Sequence, residues 1–205
     1  MEQYPFIREV HAPLTEKQLR PLDPRCEVVQ LSSPLTEVDF VKLSRFLEAY
    51  PDVPLRIYGH YGIMTDLSFL RHFSFLKGFQ ADPRLLTDLG GLELPDNLEF
   101  LGLGQTKGRL SLKPIARFKN LKDLFLEGHT KDVSAVSQLT ELVYLNLRSV
   151  TLPDLTPLLC LADLDRNQLL DSPVWLPEPS AVRIVLRARL NRTSARAALE
   201  ANRTK

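Results

Sequence analysis

The sequence has few of the residues that mark a disulfide-rich, zinc-binding or membrane protein. Its two cysteines, Cys26 and Cys160, lie far apart among 205 residues, so neither a disulfide framework nor a cysteine metal site is expected. No apolar run approaches the ~20 residues that a membrane-spanning helix needs. The first ten residues lack a basic segment followed by an apolar one, so we expect no signal peptide, no membrane partner and a cytoplasmic location.

The sequence also lacks the spacings that are typical of catalytic sites. Its four histidines form no H-x-x-x-H or H-E-x-x-H pair, and no Ser, Cys or Asp stands in a recognisable nucleophile motif. Gly102, Gly104 and Gly108 do not have the G-x-G-x-x-G spacing of a dinucleotide-binding loop. We read them as small residues that expose a shallow spot beside Phe100. We therefore expect a non-catalytic protein, not an enzyme, that needs no metal and no cofactor.

The charge is small overall but unevenly distributed. The net charge is +1, whereas residues 181–205 contain six Arg, one Lys and one Glu. Such a segment can bind phosphates, so a nucleic-acid-associated adaptor that uses this basic tail is the alternative function. Nucleic acid is the less favoured partner, because no nucleic-acid-binding motif is present and Trp175 is the last aromatic residue before this segment.

A leucine trio with the spacing L-x-x-L-x-L recurs three times in the middle of the chain. The trios start 23 and 21 residues apart, and a degenerate unit, Leu76 with Phe79 and Ala81, starts 22 residues before the first. A period near 22 with this core predicts one short strand per unit, and the strands stack into a parallel sheet. The three trios are Leu98, Leu101 and Leu103; Leu121, Leu124 and Leu126; and Leu142, Leu145 and Leu147.

The repeats resemble a known type. A second apolar group follows each strand, and a 3₁₀ turn is expected near Pro157. This pattern resembles the short bacterial leucine-rich repeats of the internalin type over about residues 52–165. The resemblance implies an α/β solenoid: a right-handed horseshoe with a curved parallel sheet and short convex 3₁₀ or irregular segments. It also implies that the concave face binds a protein partner.

One position departs from that repeat type. Three residues after the third leucine of each trio, the resemblance implies an Asn whose side chain bonds the neighbouring backbone turns. Here these positions are Thr106, His129 and Val150. The Thr and His side chains can still bond backbone groups, whereas the Val side chain cannot. We therefore expect looser turns, and we expect His129 to bond backbone rather than metal.

The N-terminal part, residues 1–51, is interpreted as a cap. Five prolines divide residues 1–34 into short pieces, and Val28 to Leu31 predict one short strand, the first of the sheet. A helix is predicted over about residues 36–50, with Thr36 at its start, and it would cover the apolar end of the solenoid. Its predicted buried flank consists of Val38, Val41, Leu43, Phe46 and Leu47.

The C-terminal part, residues 167–205, does not continue the repeats. Residues 52–166 are assigned to the repeats, because the leucine pattern stops where Arg166 takes a core position. Residues 182–190 alternate between apolar and mainly Arg positions, which predicts a strand with an Arg-rich outer face. Two interpretations stay open: a C-terminal cap that pairs with the last repeat strand, or a divergent or out-of-frame end.

The candidate binding site is the set of outward-facing residues on the predicted strands. Phe100, Phe125 and Tyr144 fall on adjacent strands ~4.8 Å apart, so we expect their rings to meet and to anchor a protein interface. The alternative is that other parts of the chain cover these rings, or that the rings only stiffen the sheet. Neither the partner's identity nor the oligomeric state follows from the sequence. The predicted partner-binding residues are Phe100, Phe125, Tyr144, Asp123, Glu127, Arg148, Tyr58 and Arg56.

Overall fold

The computed structural model describes residues 6–58, 67–82, 89, 93–104, 110–148, 150, 158 and 161. In these residues the chain forms one open, curved sheet of seven parallel strands that follow one another in chain order. The strands are β1 (Ile7–Val10), β2 (Val28–Leu31), β3 (Leu55–Ile57), β4 (Gly78–Ala81), β5 (Phe100–Leu103), β6 (Asp123–Glu127) and β7 (Tyr144–Arg148).

The leucine trios set the register of the sheet. Leu101 pairs with Leu124, and Leu124 with Leu145, so that equivalent leucines form a row across β5, β6 and β7. A second row follows two residues later in each strand, and the leucines of both rows are buried. Each buried leucine contributes about 1.5–3 kcal/mol relative to an exposed one. The predicted leucine-rich-repeat solenoid is confirmed, because stacked parallel strands of this period define it.

Short helices close the turns on the convex side of the sheet. Three 3₁₀ helices, Ser68–His72, Lys113–Arg117 and Val133–Gln138, each place apolar side chains against the back of the sheet. Leu70, Ile115 and Val136 are fully buried there. These are the convex segments that the apolar groups after the strands predict. The turn predicted near Pro157 lies outside the described residues.

The one longer helix of the described residues is α1, Glu37–Leu47. As predicted, Thr36 begins it, and the Thr36 side chain accepts a hydrogen bond from the backbone N–H of Asp39 at 3.2 Å. The predicted buried flank is partly wrong. Phe40, Leu43, Ser44 and Leu47 are buried, with the i, i+3, i+4, i+7 spacing of a helix face, whereas Val38 is 64% exposed.

Stacking of aromatic rings explains which face of α1 is buried. The ring of Phe40 stacks on that of Phe69 with 4.6 Å between the ring centroids, and both rings meet Phe73 edge-on. Burying the Phe40 ring stabilises this orientation more than burying Val38 and Val41 would. The helix connects β2 to β3 and packs on the 3₁₀ helix Ser68–His72. Its predicted role as a terminal cap stays a prediction.

The sheet begins earlier than the leucine pattern indicates. Residues 28–31 form β2, the second strand, because β1 pairs with it in parallel register. The leucine pattern missed β1 because the core-facing position beside Val29 is Arg8, which is not an apolar residue. Two strands therefore lie within the residues that were assigned to the N-terminal cap.

At the β1 edge of the sheet, Arg8 takes a core-facing position and binds the backbone of the segment that follows β1. Its guanidinium donates hydrogen bonds to the backbone carbonyls of Gln18, Arg20 and Pro21 at 3.0, 2.9 and 3.2 Å. A charged group next to an apolar core is costly unless its donors are satisfied, and three carbonyls satisfy them here. The Arg8 side chain thus fastens residues 18–21 across the first strand.

His129 occupies the turn position that the resemblance gives to Asn. Its side chain is buried, and its Nε2 lies 3.2 Å from the carbonyl oxygen of Leu103 in the preceding repeat. The predicted bond to backbone is confirmed. Burial lowers the pKa of His129 below its usual value, although the hydrogen bonds to the Leu103 and Gly104 carbonyls oppose this effect. Val150 is buried without such a bond, and Thr106 lies outside the described residues.

We expect His129→Asn to remove an acid sensitivity of the fold. In the unfolded chain a histidine has a pKa of about 6.5, whereas the folded pKa of His129 is lower, so acid protonates the unfolded chain first. The free energy of unfolding of the native protein should therefore fall as the pH drops below this value. Urea unfolding at pH 7 and pH 5 measures the loss. It should shrink in His129→Asn but persist in His11→Asn, whose ring is exposed; an unchanged loss in His129→Asn would contradict the assignment.

Candidate functional site on the concave face

The concave face consists of the strand side chains that point away from the leucine core. The register arranges these outward-facing residues in three rows that run across the strands. Residues of β1 and β2, which the prediction left in the cap, extend the first two rows. The first row is Ile7, Val28, Pro54, Gly78, Phe100, Asp123 and Tyr144; the second is Glu9, Gln30, Arg56, Gln80, Gly102, Phe125 and Asn146; the third includes Tyr58, Asp82, Gly104, Glu127 and Arg148.

A polar cluster occupies the N-terminal half of this face. The Arg56 Nε donates to Asp82 Oδ2 at 2.7 Å, and Gln80 Nε2 donates to the same oxygen at 3.1 Å. The Arg56 guanidinium also lies 4.9 Å from the centre of the Tyr58 ring. The predicted binding residues Arg56 and Tyr58 are therefore fixed in place by their neighbours. A partner would meet them without first having to order them.

Two glycines, one in β5 and one directly after it, make room for this cluster. A Cβ atom on Gly104 would lie 2.1 Å from Asp82 Oδ1, and one on Gly102 would lie 2.8 Å from Gln80 Cγ. Both glycines are buried beneath these side chains, so the predicted exposed shallow spot is absent at Gly102 and Gly104. The missing Cβ atoms let Gln80 and Asp82 lie over β5.

We expect Gly104→Ala to destabilise the protein through Asp82. The new methyl group must displace the Asp82 carboxylate and so weaken its bonds to Arg56 and Gln80, at a cost of about 1–3 kcal/mol. Chemical denaturation of Gly104→Ala, Asp82→Ala and the double variant measures the coupling. In the Asp82→Ala background the glycine substitution should cost much less. Equal costs in both backgrounds would show that the clash is elsewhere.

The three predicted aromatic anchors lie on β5, β6 and β7 but do not form one stack. Phe100 pairs in register with Asp123, whereas Phe125 lies one row further along its strand. The Phe100 ring leans towards β4, where a Cβ on Gly78 would be 3.3 Å from Phe100 Cδ1. Within the described residues none of these three rings pairs with another, so the predicted ring contact is not formed there.

The Phe125 ring instead meets a cation. The Arg148 guanidinium lies 5.8 Å from the centre of the ring and 4.0 Å from Glu127 Oε1. Tyr144 is 38% exposed, and Phe125 is half-buried. The register therefore brings the C-terminal members of the predicted set together on β6 and β7.

Asp123 differs from the other acidic residues of the concave face. It lies in register between Phe100 and Tyr144, and Phe125 follows two residues later on the same face. Burial raises the pKa of the Asp123 carboxyl above its usual value. In the described part of the chain no ion pair or hydrogen bond to this carboxylate is present.

The remaining acidic side chains of this face have partners. Glu9 Oε2 accepts a hydrogen bond from Gln30 at 3.1 Å, Asp82 binds Arg56, and Glu127 lies beside Arg148. A half-buried carboxylate without a partner loses hydration that nothing in the folded chain replaces. The Asp123 carboxylate therefore stands out by its environment, which the sequence alone does not reveal.

We expect Asp123→Asn to stabilise the protein at neutral pH. Because the folded pKa of Asp123 is raised, its ionised form is less favourable in the folded chain than in the unfolded one, where an aspartate has a pKa of about 3.9. The gain should shrink as the pH falls through the folded pKa towards this value. Thermal or urea unfolding at pH 7, 5 and 4 measures it, with Glu141→Gln, an exposed turn position, as the control. A destabilised Asp123→Asn at pH 7 would contradict the assignment of Asp123 as an unfavourable charge in the folded chain.

Two further properties of the described residues bear on the site. None of the helices there is long and apolar enough to cross a membrane. Nor do the same residues contain a group of three or more His, Cys, Asp or Glu side chains that could hold a metal ion.

The fold places the chain in the class of leucine-rich-repeat solenoids. No family model and no curated protein matches the sequence. Among solved structures it is similar to internalin C2 of Listeria monocytogenes, with 22% identity over 72% of this chain and a TM-score of 0.47. It is also similar to an internalin F of that organism, with 18% identity over 82% of this chain and a TM-score of 0.48.

These similarities concern the fold alone. The chain spans about three fifths of the length of the two internalin chains, 62% and 59% respectively. The fold itself is defined by the strand register and burial of this chain.

Proposed function

We propose that the protein is a non-catalytic interaction scaffold that binds a protein partner on the concave face. The observation that carries this proposal is the C-terminal half of that face. There, half-exposed aromatic rings and charged side chains lie on β5, β6 and β7. The backbones of β5 and β6 are paired with strands on both sides, and that of β7 is paired with β6. A preformed sheet loses little conformational entropy on binding, so less of the favourable contact energy is offset by ordering of the chain.

The side chains of this half match the composition of protein interfaces. Aromatic and Arg residues are enriched in the central parts of such interfaces, where the burial of one large ring can dominate the binding energy. Phe125 lies centrally, between the strand of Phe100 and the strand of Tyr144, and Arg148 holds its ring. Glu127 and Arg148 flank it as charged residues that can set specificity.

The charges of the concave face do not support the alternative function, a nucleic-acid-associated adaptor. Among the described residues of this face, acidic side chains outnumber basic ones, and phosphate groups would be repelled. The basic residues 181–205 on which that alternative rests lie outside the described residues. The cytoplasmic location also stays a prediction. The concave-face residues in question are Glu9, Asp82, Asp123 and Glu127, against Arg56 and Arg148.

We expect Phe125→Ala to weaken the binding of a genuine partner by at least about 2 kcal/mol, or about 30-fold. The variant should stay folded, because the Phe125 ring lies outside the leucine core. A partner can be captured from the native lysate with the wild-type chain and its affinity then measured by calorimetry. Val38→Ala is the matched control, because Val38 is exposed on α1 at the convex side. If Phe125→Ala binds as tightly as the control, the concave face is not the site.

A further inference from the structure

We propose that Asp123 is the anchoring site for a basic side chain, an arginine, of the protein partner. This inference rests on the proposed function and specifies the chemistry that the partner must present. Its starting point is the half-buried Asp123 carboxylate, which has no partner in the described residues although the other acidic side chains of the face have one. The missing counter-charge would come from the partner.

The surroundings of Asp123 favour a cation that also has an apolar face. Phe100 and Tyr144 lie in register on either side of Asp123, at the ~4.8 Å spacing of neighbouring strands, and Phe125 follows on the same strand. A guanidinium group stacks on aromatic rings and binds carboxylates with two parallel hydrogen bonds. An ammonium group is more strongly hydrated and forms neither arrangement as well. The site therefore fits Arg better than Lys.

Arg148, the basic residue on the concave side of β7, does not pair with the Asp123 carboxylate. Arg148 pairs in register with Glu127, four residues further along β6 than Asp123, which corresponds to about 13 Å. Its guanidinium is held beside the Phe125 ring and Glu127. Arg148 thus occupies the third row, whereas Asp123 lies in the first row.

The unpaired Asp123 carboxylate contributes more to the recognition of a cationic partner than to the stability of the free protein. A cation that arrives at Asp123 regains the interaction that burial removed, and it does so in a half-buried setting where the attraction is stronger than in water. A partner without a basic residue at this position would cover the Asp123 carboxylate without pairing it, and its binding would be weaker. The expected consequence is specificity for an arginine that is accompanied by apolar residues contacting Phe100 and Tyr144.

The test is a selection of peptides on the full chain, with the Asp123→Asn and Phe125→Ala variants as comparison. The probe is a phage library of random dodecapeptides, panned on immobilised wild-type protein. We expect the selected peptides to be enriched in Arg, and we expect this enrichment to disappear on Asp123→Asn. Peptides selected without Arg enrichment, but lost on Phe125→Ala, would overturn the inference and leave the proposed function standing. Selected peptides that are indifferent to both variants would overturn both.

A second measurement isolates the ion pair. One selected peptide is synthesised with Arg, with Lys and with citrulline, which keeps the shape of Arg but lacks its charge. On the wild-type chain, citrulline should weaken binding at least tenfold and Lys less. On Asp123→Asn, which should fold, the three peptides should bind alike. A citrulline effect of equal size on both proteins would show that Arg binds elsewhere.

Two other occupants of the site give distinct results. If a second copy of this chain supplied the basic residue, the wild type would self-associate in sedimentation experiments and Asp123→Asn would be monomeric. If the Arg-rich residues 181–205 of the same chain supplied it, the peptides would bind Asp123→Asn no more weakly than the wild type, because the site would already be filled. Either result would contradict the docking of a separate partner's arginine at Asp123.

Discussion

The in-register stacking of equivalent leucines is the constraint on which the rest of this structure depends. Leu101, Leu124 and Leu145 form one row only if neighbouring strands pair in the same register. Because side chains alternate along a strand, burying this row fixes which residues face the other way. The composition of the concave face is therefore a consequence of core packing, and a shift of one residue would exchange the two faces.

The same alternation explains how the protein accommodates residues that break the leucine pattern. Arg8 takes a core-facing position but lies at the edge of the sheet, where three carbonyls of the following chain receive its hydrogen bonds. Gly104 takes a concave position, and the space of its missing side chain is filled by Asp82, the residue that follows β4. At Asp123 no described residue offers such a compensation, so we expect the half-buried carboxylate to lower the stability at neutral pH, and we assign this cost to binding.

Much of the fold, and less of the site, could be predicted from the sequence. The leucine spacing predicted β5, β6 and β7 and the rows of the concave face, because a strong periodic core leaves one register. It missed β1, where Arg8 replaces a leucine, and it misjudged the face of α1, which ring stacking on Phe69 decides. Partners such as Asp82 for Arg56 depend on contacts between side chains, and these do not follow from spacing.

The central claim is that leucines of successive repeats lie side by side while the residues between them face outwards. Nuclear Overhauser effects between the methyl groups of Leu101, Leu124 and Leu145, in protein with labelled leucines, test it directly. The account predicts strong effects from Leu124 to both other leucines, and weak or no effects from these methyls to the Asn146 side chain. Strong effects to Asn146, or none between neighbouring leucines, would contradict the stacked register and the binding face derived from it.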